Sequence, residues 1–146
     1  MNPVKLYRIG NYCYRLRVPF LPNLITYVIR FIFACYFPSE IKAGKNLILG
    51  YGGLGVVVHK RVVIGNNCHI DQNVTIGGTS KKYGVPTIGD NVYIGAGAKI
   101  LGPVQIGDDV VIGANSVIVR DVDSNSVVVG VPGKIVKKGI RKSDYV

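Results

Sequence analysis

The chain has 146 residues, 48% of them hydrophobic, and carries 18 Lys and Arg against 8 Asp and Glu, a formal net charge of +10. This length allows one domain with a substantial core, and the composition excludes a disordered chain. Three cysteines without a CxxC pair or a Cys/His cluster argue against a disulfide framework and a structural zinc, and favour a reducing cytoplasm.

The positive charge is concentrated at the two ends of the chain. Residues 1–45 hold seven basic groups and one acidic group (+6), residues 46–133 hold six of each (zero), and residues 134–146 hold five and one (+4). A nucleic-acid-binding protein usually carries a basic stripe across its folded body. The neutral body argues against nucleic acid as a partner and favours an anionic ligand or membrane surface that contacts the ends.

Residues 1–40 are predicted to form a helical N-terminal segment. The opening MNPVKLYRIG lacks the apolar core of a signal peptide. Apolar residues at helical spacing predict helices at 3–17 and 23–37. Pro19 and Pro22 separate the two helices, and Pro38 follows the second. The apolar stretch 18–37 contains Arg30 and falls short of the ~20 apolar residues of a spanning helix. We expect packing on the coil or a sister subunit, with an interfacial membrane contact as the alternative.

Residues 41–133 contain a six-residue repeat. Isoleucine recurs at every sixth position with a single gap: Ile64, Ile70, Ile76, Ile88, Ile94, Ile100, Ile106, Ile112 and Ile118. Four residues after each isoleucine the side chain is small or β-branched, and glycine often follows the isoleucine directly. This period fits neither a helix nor a simple two-residue alternation. It predicts a coil of short strands in which every sixth side chain enters the interior and each turn covers the next.

The gap in the repeat predicts a projecting loop at 77–87, where the chain reads GGTSKKYGVPT. Lys82 stands at the position that would point inward, and an unpaired lysine cannot be buried there. Loops on a rigid scaffold often carry function. After the coil, a basic C-terminal tail is predicted over 134–146.

Several runs resemble a known family over nearly the whole chain. They are IGAGAKILGPVQIGDDVVIGANSVIVRDV, VVVGVPGKIVKK, QNVTIGGTS and LYRIGNYCYRLRVPFLP. The chain resembles hexapeptide-repeat acetyltransferases of the left-handed β-helix class, in the short serine O-acetyltransferase branch. The resemblance implies a mainly β fold, a left-handed parallel β-helix with an N-terminal helical segment. It also implies a homotrimer with active sites in the clefts between subunits.

The resemblance further implies an acyltransferase that uses acetyl-CoA as co-substrate and no metal. Carried over by position, Gly77, Gly78, Ala96 and Ala114 line the groove for the pantetheine arm, and Lys134 lies near its nucleotide end. Small residues in such a groove let a ligand approach the backbone and pair with its N–H and C=O groups.

The chain departs from the serine acetyltransferase pattern at the acceptor end. One family histidine, preceded by an aspartate, falls within LILGYGGLGVVV, where this chain reads GYG at 50–52. The other, in an Arg-His-Pro sequence, falls where this chain reads GVP at 84–86. The family's partners for a serine carboxylate and ammonium are therefore missing from these two segments.

Transfer to a hydroxyl requires a base, most often histidine. His59 follows the inward-pointing Val58, at a turn beside the glycine segment that replaces the missing site, and it is the predicted base. His69 also faces outward and is the alternative; that neither acts as the base stays open. Cys68 lies among the small inward positions, so we expect a buried structural thiol. Weaker candidates for contacts with the acceptor are Tyr51, Ser80 and Tyr83.

The predicted reaction is direct attack of the acceptor hydroxyl on the thioester, with backbone N–H groups near Gly77 or Gly78 stabilising the oxyanion. The acceptor is serine, which the resemblance favours, or a sugar hydroxyl in polysaccharide synthesis, which the basic, apolar N-terminus favours. Because the family's histidines are missing, a non-catalytic trimeric binding or scaffold protein is the second hypothesis. A metal-dependent β-helix hydrolase is disfavoured, since two histidines do not make a ligand cluster.

Overall fold

The computed structural model describes residues 2–146 and consists of two helices followed by a three-sided coil of short parallel strands. The helices are α1 (Pro3–Arg15) and α2 (Leu21–Phe33). Sheet 1 contains β1 (Lys42–Ala43), β4 (Val63–Ile64), β7 (Thr87–Ile88) and β10 (Gln105–Ile106). Sheet 2 contains β2 (Ile48–Leu49), β5 (His69–Ile70), β8 (Tyr93–Ile94), β11 (Val111–Ile112), β13 (Ser126–Val129) and β14 (Lys134–Lys138). Sheet 3 contains β3 (Val57–Val58), β6 (Thr75–Gly77), β9 (Lys99–Leu101) and β12 (Val117–Ile118).

The isoleucine repeat forms the interior of this coil. All nine repeat isoleucines are at most 3% exposed. In sheet 3, Ile76 lies opposite Ile100, and in sheet 2, Ile94 lies opposite Ile112, so each isoleucine covers its counterpart one turn away. Burying each such side chain contributes about 1.5–3 kcal/mol. The predicted fold, a left-handed parallel β-helix preceded by helices, is confirmed.

The turn from sheet 1 to sheet 2 is held by a ladder of amide side chains. One residue in each turn adopts left-handed backbone geometry, which Asn and Asp tolerate better than most residues: Asn46, Asn67, Asn91, Asp109 and Asn125. Asn46 Nδ2 donates to Asn67 Oδ1 (2.9 Å), and Asn67 Nδ2 donates to Asn91 Oδ1 (3.1 Å). We call this edge the asparagine corner. Its hydrogen bonds connect successive turns outside the apolar interior.

The second helix lies earlier in the chain than the predicted 23–37. Pro22 falls in its first turn, where the missing N–H leaves no bond unmade, so the proline starts the helix and does not break it. The helix stops when Ala34 takes left-handed geometry, with φ of 49°. Tyr36 then forms a parallel bridge with Val57, because the edge of sheet 3 needs a partner there. The prediction of helix through residues 34–37 was wrong.

The first helix packs on the first turn of the coil through polar as well as apolar contacts. Tyr7 OH donates to the Ile41 carbonyl (2.5 Å), and its ring meets Phe37 edge-on at 4.9 Å between centroids. Arg8 donates to the Ala43 carbonyl (2.6 Å). This helix ends two residues before the predicted residue 17. Neither helix in residues 2–146 is long and apolar enough to cross a membrane.

The segment in the gap of the repeat and the basic segment after the coil have different structures. Residues 78–86 connect β6 to β7 without regular strands, and Lys82 is exposed. The basic segment after the coil begins with β14, which pairs antiparallel with β13 and so extends sheet 2. The C-terminal residues then return along the coil, where Lys142 Nζ donates to the Asn67 carbonyl (2.8 Å).

Candidate functional site

One group of predicted site residues lies where the chain turns from sheet 3 to sheet 1, here called the loop corner. Val58 pairs with Ile76, so His59 lies beside Gly77, the last residue of β6. The His59 backbone N–H donates to the Ile76 carbonyl (2.9 Å). A Cβ placed on Gly77 would meet nothing within 4 Å. The histidine, Gly77 and Gly78 therefore share one open edge at the start of the 78–86 loop.

The His59 ring is half-buried and has one side-chain hydrogen bond. Its Nδ1 accepts from the Arg61 backbone N–H (3.1 Å). Partial burial lowers the pKa of His59 first, and the nearby charges of Arg61 and Lys60 lower it further. The ring is therefore neutral near pH 7. Because Nδ1 accepts, the neutral ring carries its proton on Nε2 in this arrangement and presents a donor outward.

The loop is fastened to the coil by Arg61, which the sequence did not single out, and by Tyr83, which it named only as a candidate contact for the acceptor. The Arg61 guanidinium stacks on the Tyr83 ring, 3.8 Å from its centroid, and Arg61 Nη2 donates to the Tyr83 carbonyl (2.5 Å). Gly84 packs so closely on Pro103 that a Cβ there would lie 2.4 Å from the Pro103 Cβ. The loop therefore has no room at Gly84 for a larger side chain.

A second group lies where the chain turns from sheet 2 to sheet 3, here called the alanine corner. Ala96 and Ala114 occupy equivalent turns, and the Asn115 N–H donates to the Ala96 carbonyl (2.8 Å). Gln72 holds the equivalent position one turn earlier, beside Ala96. Its side-chain Oε1 is buried and has no hydrogen-bond partner within residues 2–146. A buried acceptor left unpaired costs about 1–3 kcal/mol, and a ligand N–H would satisfy it.

The alanine corner also carries a cluster of three polar side chains, which we call the His69 cluster. His69 Nε2 lies 3.1 Å from Asp71 Oδ1, and Tyr93 OH donates to Asp71 Oδ2 (2.6 Å). The hydrogen bond to Asp71, with burial second, raises the pKa of Tyr93 to about 12. The Asp71 carboxylate therefore lies between a ring nitrogen of His69 and the Tyr93 hydroxyl. The sequence signal for this cluster was the strand register, because His69 and Tyr93 are paired residues of adjacent turns.

A cleft between α1 and sheet 1 opens beside the loop corner, and we call it the basic cleft. It is lined by Tyr14, Glu40, Lys42, Lys60 and Arg61, with two valines beneath. Lys60 and Arg61 directly follow His59 in the chain. The cleft combines cationic groups with one carboxylate, so it can offer partners to both charges of a small zwitterion. The sequence did not predict this cleft, because Glu40 and Lys60 are far apart in the chain and come together only in the folded protein.

One of the segments that lack the family's histidines, residues 50–52, contacts Asp71 at its first residue. A Cβ on Gly50 would lie 2.5 Å from Asp71 Oδ1, so the Asp71 carboxylate fills that space. Tyr51 next to it is 82% exposed and has left-handed geometry, with φ of 49°.

Cys68 is fully buried, and burial raises the pKa of its thiol to about 11. That thiol is a poor nucleophile near neutral pH. Lys134 begins β14 at the far end of the coil and is exposed. Residues 2–146 contain no group of three or more His, Cys, Asp or Glu side chains arranged to hold a metal ion.

The predicted site residues do not all meet within one chain. His59, Gly77 and Gly78 lie on the loop corner, whereas Ala96 and Ala114 lie on the alanine corner. These two edges bound opposite sides of sheet 3. A groove that uses both sets has to be completed by a second copy of the chain.

Comparison with known proteins gives consistent relationships. Residues 86–120 match the family described as bacterial transferase hexapeptide (six repeats). A serine acetyltransferase of Synechococcus elongatus is 39% identical over 138 residues, which cover 92% of this chain and 56% of the relative. The enzyme of Bacillus subtilis is 37% identical over 144 residues, covering 97% of this chain and 66% of the relative.

Solved structures give the same relationship. A serine acetyltransferase from Vibrio cholerae superposes with a TM-score of 0.89 at 31% identity, covering 96% of this chain and 55% of the other. A serine acetyltransferase in complex with CoA gives 0.84 at 34%, covering 92% and 55%. The soybean enzyme complexed with serine gives 0.85 at 37%, covering 92% and 56%. The chain spans little more than half the length of most of these relatives.

Proposed function

The chain belongs to the hexapeptide-repeat transferases related to serine acetyltransferase, and on that premise we propose that it transfers an acetyl group from acetyl-CoA to a hydroxyl acceptor. The observation that carries the proposal is the similarity to serine acetyltransferases over more than nine-tenths of the chain. One of these similar enzymes was solved in complex with CoA. In the proposed reaction the acceptor oxygen attacks the thioester carbonyl, its proton passes to a histidine, and CoA leaves as the thiol after taking up a proton.

The proposed enzyme is a homotrimer with its sites between subunits. The loop corner of one subunit supplies Gly77 and Gly78, and the alanine corner of the next supplies Ala96 and Ala114. Gln72 supports this arrangement, because its unpaired Oε1 can accept an amide N–H of the pantetheine arm. Lys134 is proposed to contact the anionic nucleotide end as a cation.

Two histidines remain candidates for the base. His59 is favoured by its place beside Gly77 and by its lowered pKa, which keeps the ring neutral. To accept a proton at Nε2, His59 has to give up the Arg61 hydrogen bond, at a cost of about 1 kcal/mol; otherwise it donates Nε2–H to the thioester oxygen. His69 is favoured by Asp71, whose carboxylate oxygen lies 3.1 Å from its Nε2. If subunits meet as proposed, both corners face one groove.

Serine is the proposed acceptor. The basic cleft places Lys60 next to His59 and brings Glu40 to the same cleft, so a carboxylate and an ammonium each have a partner. A relative solved with serine supports the same choice. A sugar hydroxyl is the alternative acceptor, and it does not require Glu40.

The test is CoA thiol release from acetyl-CoA by the full chain, with serine and with a panel of sugars as acceptors. We expect turnover with serine, and Glu40→Gln should raise the KM for serine while leaving kcat nearly unchanged. Turnover with sugars alone would assign the alternative acceptor. Lys45→Gln is the matched control, because Lys45 lies on the asparagine corner away from the cleft.

A non-catalytic trimeric binding protein is the second candidate, and the observation that favours it is the absence of the family's histidines at 50–52 and 84–86. Calorimetric titration with acetyl-CoA distinguishes the two. Binding without turnover for any acceptor would favour the non-catalytic protein, and absence of binding would contradict the groove itself.

A further inference from the structure

The first helix carries an apolar stripe on the side that faces away from the coil. Tyr7 and Gly10 are buried on one face of α1. On the opposite face, Ile9, Tyr12 and Leu16 follow one another at helical spacing and are each more than half exposed. The usual arrangement of an amphipathic helix is therefore reversed in α1. The face towards the coil is partly polar, and a stripe on the face towards solvent is apolar and aromatic.

The second helix repeats this arrangement with larger side chains. Ile29 is buried against the coil, while Phe20, Leu24, Tyr27 and Phe31 form a continuous stripe on the opposite side. Phe20 and Phe31 are 87% and 86% exposed. Since α1 and α2 pack side by side, the two stripes together form one surface, which we call the helical face. An apolar patch of this kind marks an interaction site.

The charge of residues 1–39, which include both helices, has a single sign. No acidic residue precedes Glu40 in the chain. Four exposed basic residues accompany the stripes: Lys5, Arg15, Arg17 and Arg30. The fifth basic residue of this region, Arg8, is occupied by backbone carbonyls of the coil. The helical face is therefore an apolar and aromatic surface with four exposed cations and no anion on either helix.

We propose that the helical face docks on an anionic lipid surface, with both helices lying in the plane of the membrane interface. Each helix has 13 residues, too few to span a bilayer that needs ~20. Exposed Phe and Leu insert into the boundary between headgroups and acyl chains, Tyr lies at headgroup level, and Lys and Arg pair with anionic headgroups. A second copy of the chain fits less well, because it would bring two positive surfaces together. This binding is independent of acetyl transfer.

The test is sedimentation of the full chain with vesicles of phosphatidylcholine, with and without phosphatidylglycerol. We expect binding to the phosphatidylglycerol vesicles that weakens as salt is raised, and little binding to phosphatidylcholine alone. The double variant Phe20→Ser/Phe31→Ser should bind at least tenfold more weakly, because it removes the two most exposed rings. Arg15→Gln/Arg17→Gln should also weaken binding and reduce its salt dependence.

Val136→Ser is the matched control, since Val136 is an exposed apolar residue on β14 at the opposite end of the coil. Circular dichroism checks that each variant keeps its fold. The proposal is overturned if the unaltered chain ignores phosphatidylglycerol vesicles, or if Val136→Ser weakens binding as much as the phenylalanine variant. Light scattering without lipid tests whether the chain associates with itself through this face. A lower mass for Phe20→Ser/Phe31→Ser than for the unaltered chain would show that the helical face binds a second copy, and would overturn the proposal.

Discussion

At the scale of single residues, the two histidines differ in the contacts that their ring nitrogens make. His59 uses Nδ1 to accept from a backbone N–H, whereas His69 turns Nε2 towards a carboxylate. The first arrangement leaves His59 with a donor at Nε2, and the second places a carboxylate beside the His69 ring. Two surface histidines that look equivalent in the sequence therefore have different surroundings.

The pH dependence of turnover tests the role of His59. Because the pKa of His59 is lowered, we expect kcat/KM to fall on the acid side only below pH 6.5. Lys60→Gln removes a positive charge beside the ring, so it should raise that pKa and move the acid limb to higher pH. Arg120→Gln, on an exposed residue elsewhere, should leave the limb in place.

The free energy of unfolding should also depend on the protonation of His59. Between its lowered pKa and 6.5, His59 is neutral in the folded chain and protonated in the unfolded chain, so its contribution to stability falls as pH falls through that window. An acid limb of kcat/KM that is unchanged in Lys60→Gln would contradict the role of His59.

The Tyr93 phenol is a second group whose ionisation can be measured. Ultraviolet titration, taken as the difference between the unaltered chain and Tyr93→Phe, should show the pKa of Tyr93 near 12. Asp71→Asn removes the acceptor and its charge, so the value should return towards 10.0. Since only the unfolded chain loses this proton between those values, the stabilisation is present below pH 10 and declines above it. A difference curve already centred near 10 would contradict the hydrogen bond.

At the scale of elements, the stacked strands and the loop contribute differently. The strands are two to five residues long and depend on neighbours one turn away. The loop depends on a few contacts with the coil, chiefly the Arg61–Tyr83 stack and the Gly84–Pro103 approach. The interior is thus held by many equivalent contacts, and the loop by a small number of specific ones.

Truncation of one interior isoleucine tests the stack. Ile100→Ala removes a fully buried side chain between two turns, so we expect a loss of about 2–5 kcal/mol in the free energy of unfolding. Val119→Ala, at a half-exposed position, should cost far less. Urea unfolding measures both, and equal losses in the two variants would contradict the interior assignment.

Limited proteolysis tests the attachment of the loop. Arg61→Ala removes the cation over the Tyr83 ring, a contact of about 0.5–1 kcal/mol at an exposed site. Trypsin should then cut after Lys81 or Lys82 several-fold faster. Arg120→Ala is the control with the same charge change, and equal cleavage in both variants would show that the stack does not hold the loop.

At the scale of the whole molecule, the two corners that carry the proposed groove belong to opposite edges of sheet 3. A single chain therefore presents half of one site on each edge. A closed ring of three copies would join each loop corner to a neighbour's alanine corner, which is a head-to-tail interface. The proposed trimer follows from this separation and from the resemblance.

Mixing of two blocked variants tests this arrangement. Gly77→Trp fills the loop corner and Ala114→Trp fills the alanine corner, each in open space, so each homotrimer should be inactive. Co-assembled at equal amounts, they should recover about a quarter of the original activity, the statistical fraction of sites with two intact halves. The double variant mixed with the unaltered chain should also leave about a quarter; a value near one half would place the whole site in one subunit.

The sequence by itself determined the interior of this protein. A period of six assigns each isoleucine to one buried line, and that assignment needs only neighbours along the chain. It also predicted a loop after Ile76, because Lys82 cannot follow Ile76 into the interior. The sequence did not predict the end of α2, because Tyr36 forms a bridge with Val57, which lies 21 residues later in the chain.

Only the tertiary structure decided which turns share an edge. Ile76 and Ile88 are twelve residues apart. That spacing is compatible with two regular sides of the coil, and equally with a single side that carries an insertion. The chain uses one side, passing from sheet 3 directly to sheet 1, and that choice fixes the sheet of every later strand. It brings Tyr93 beside His69 and separates Ala96 from Gly77. Distances between turns depend on how the coil closes, and a local pattern does not contain that information.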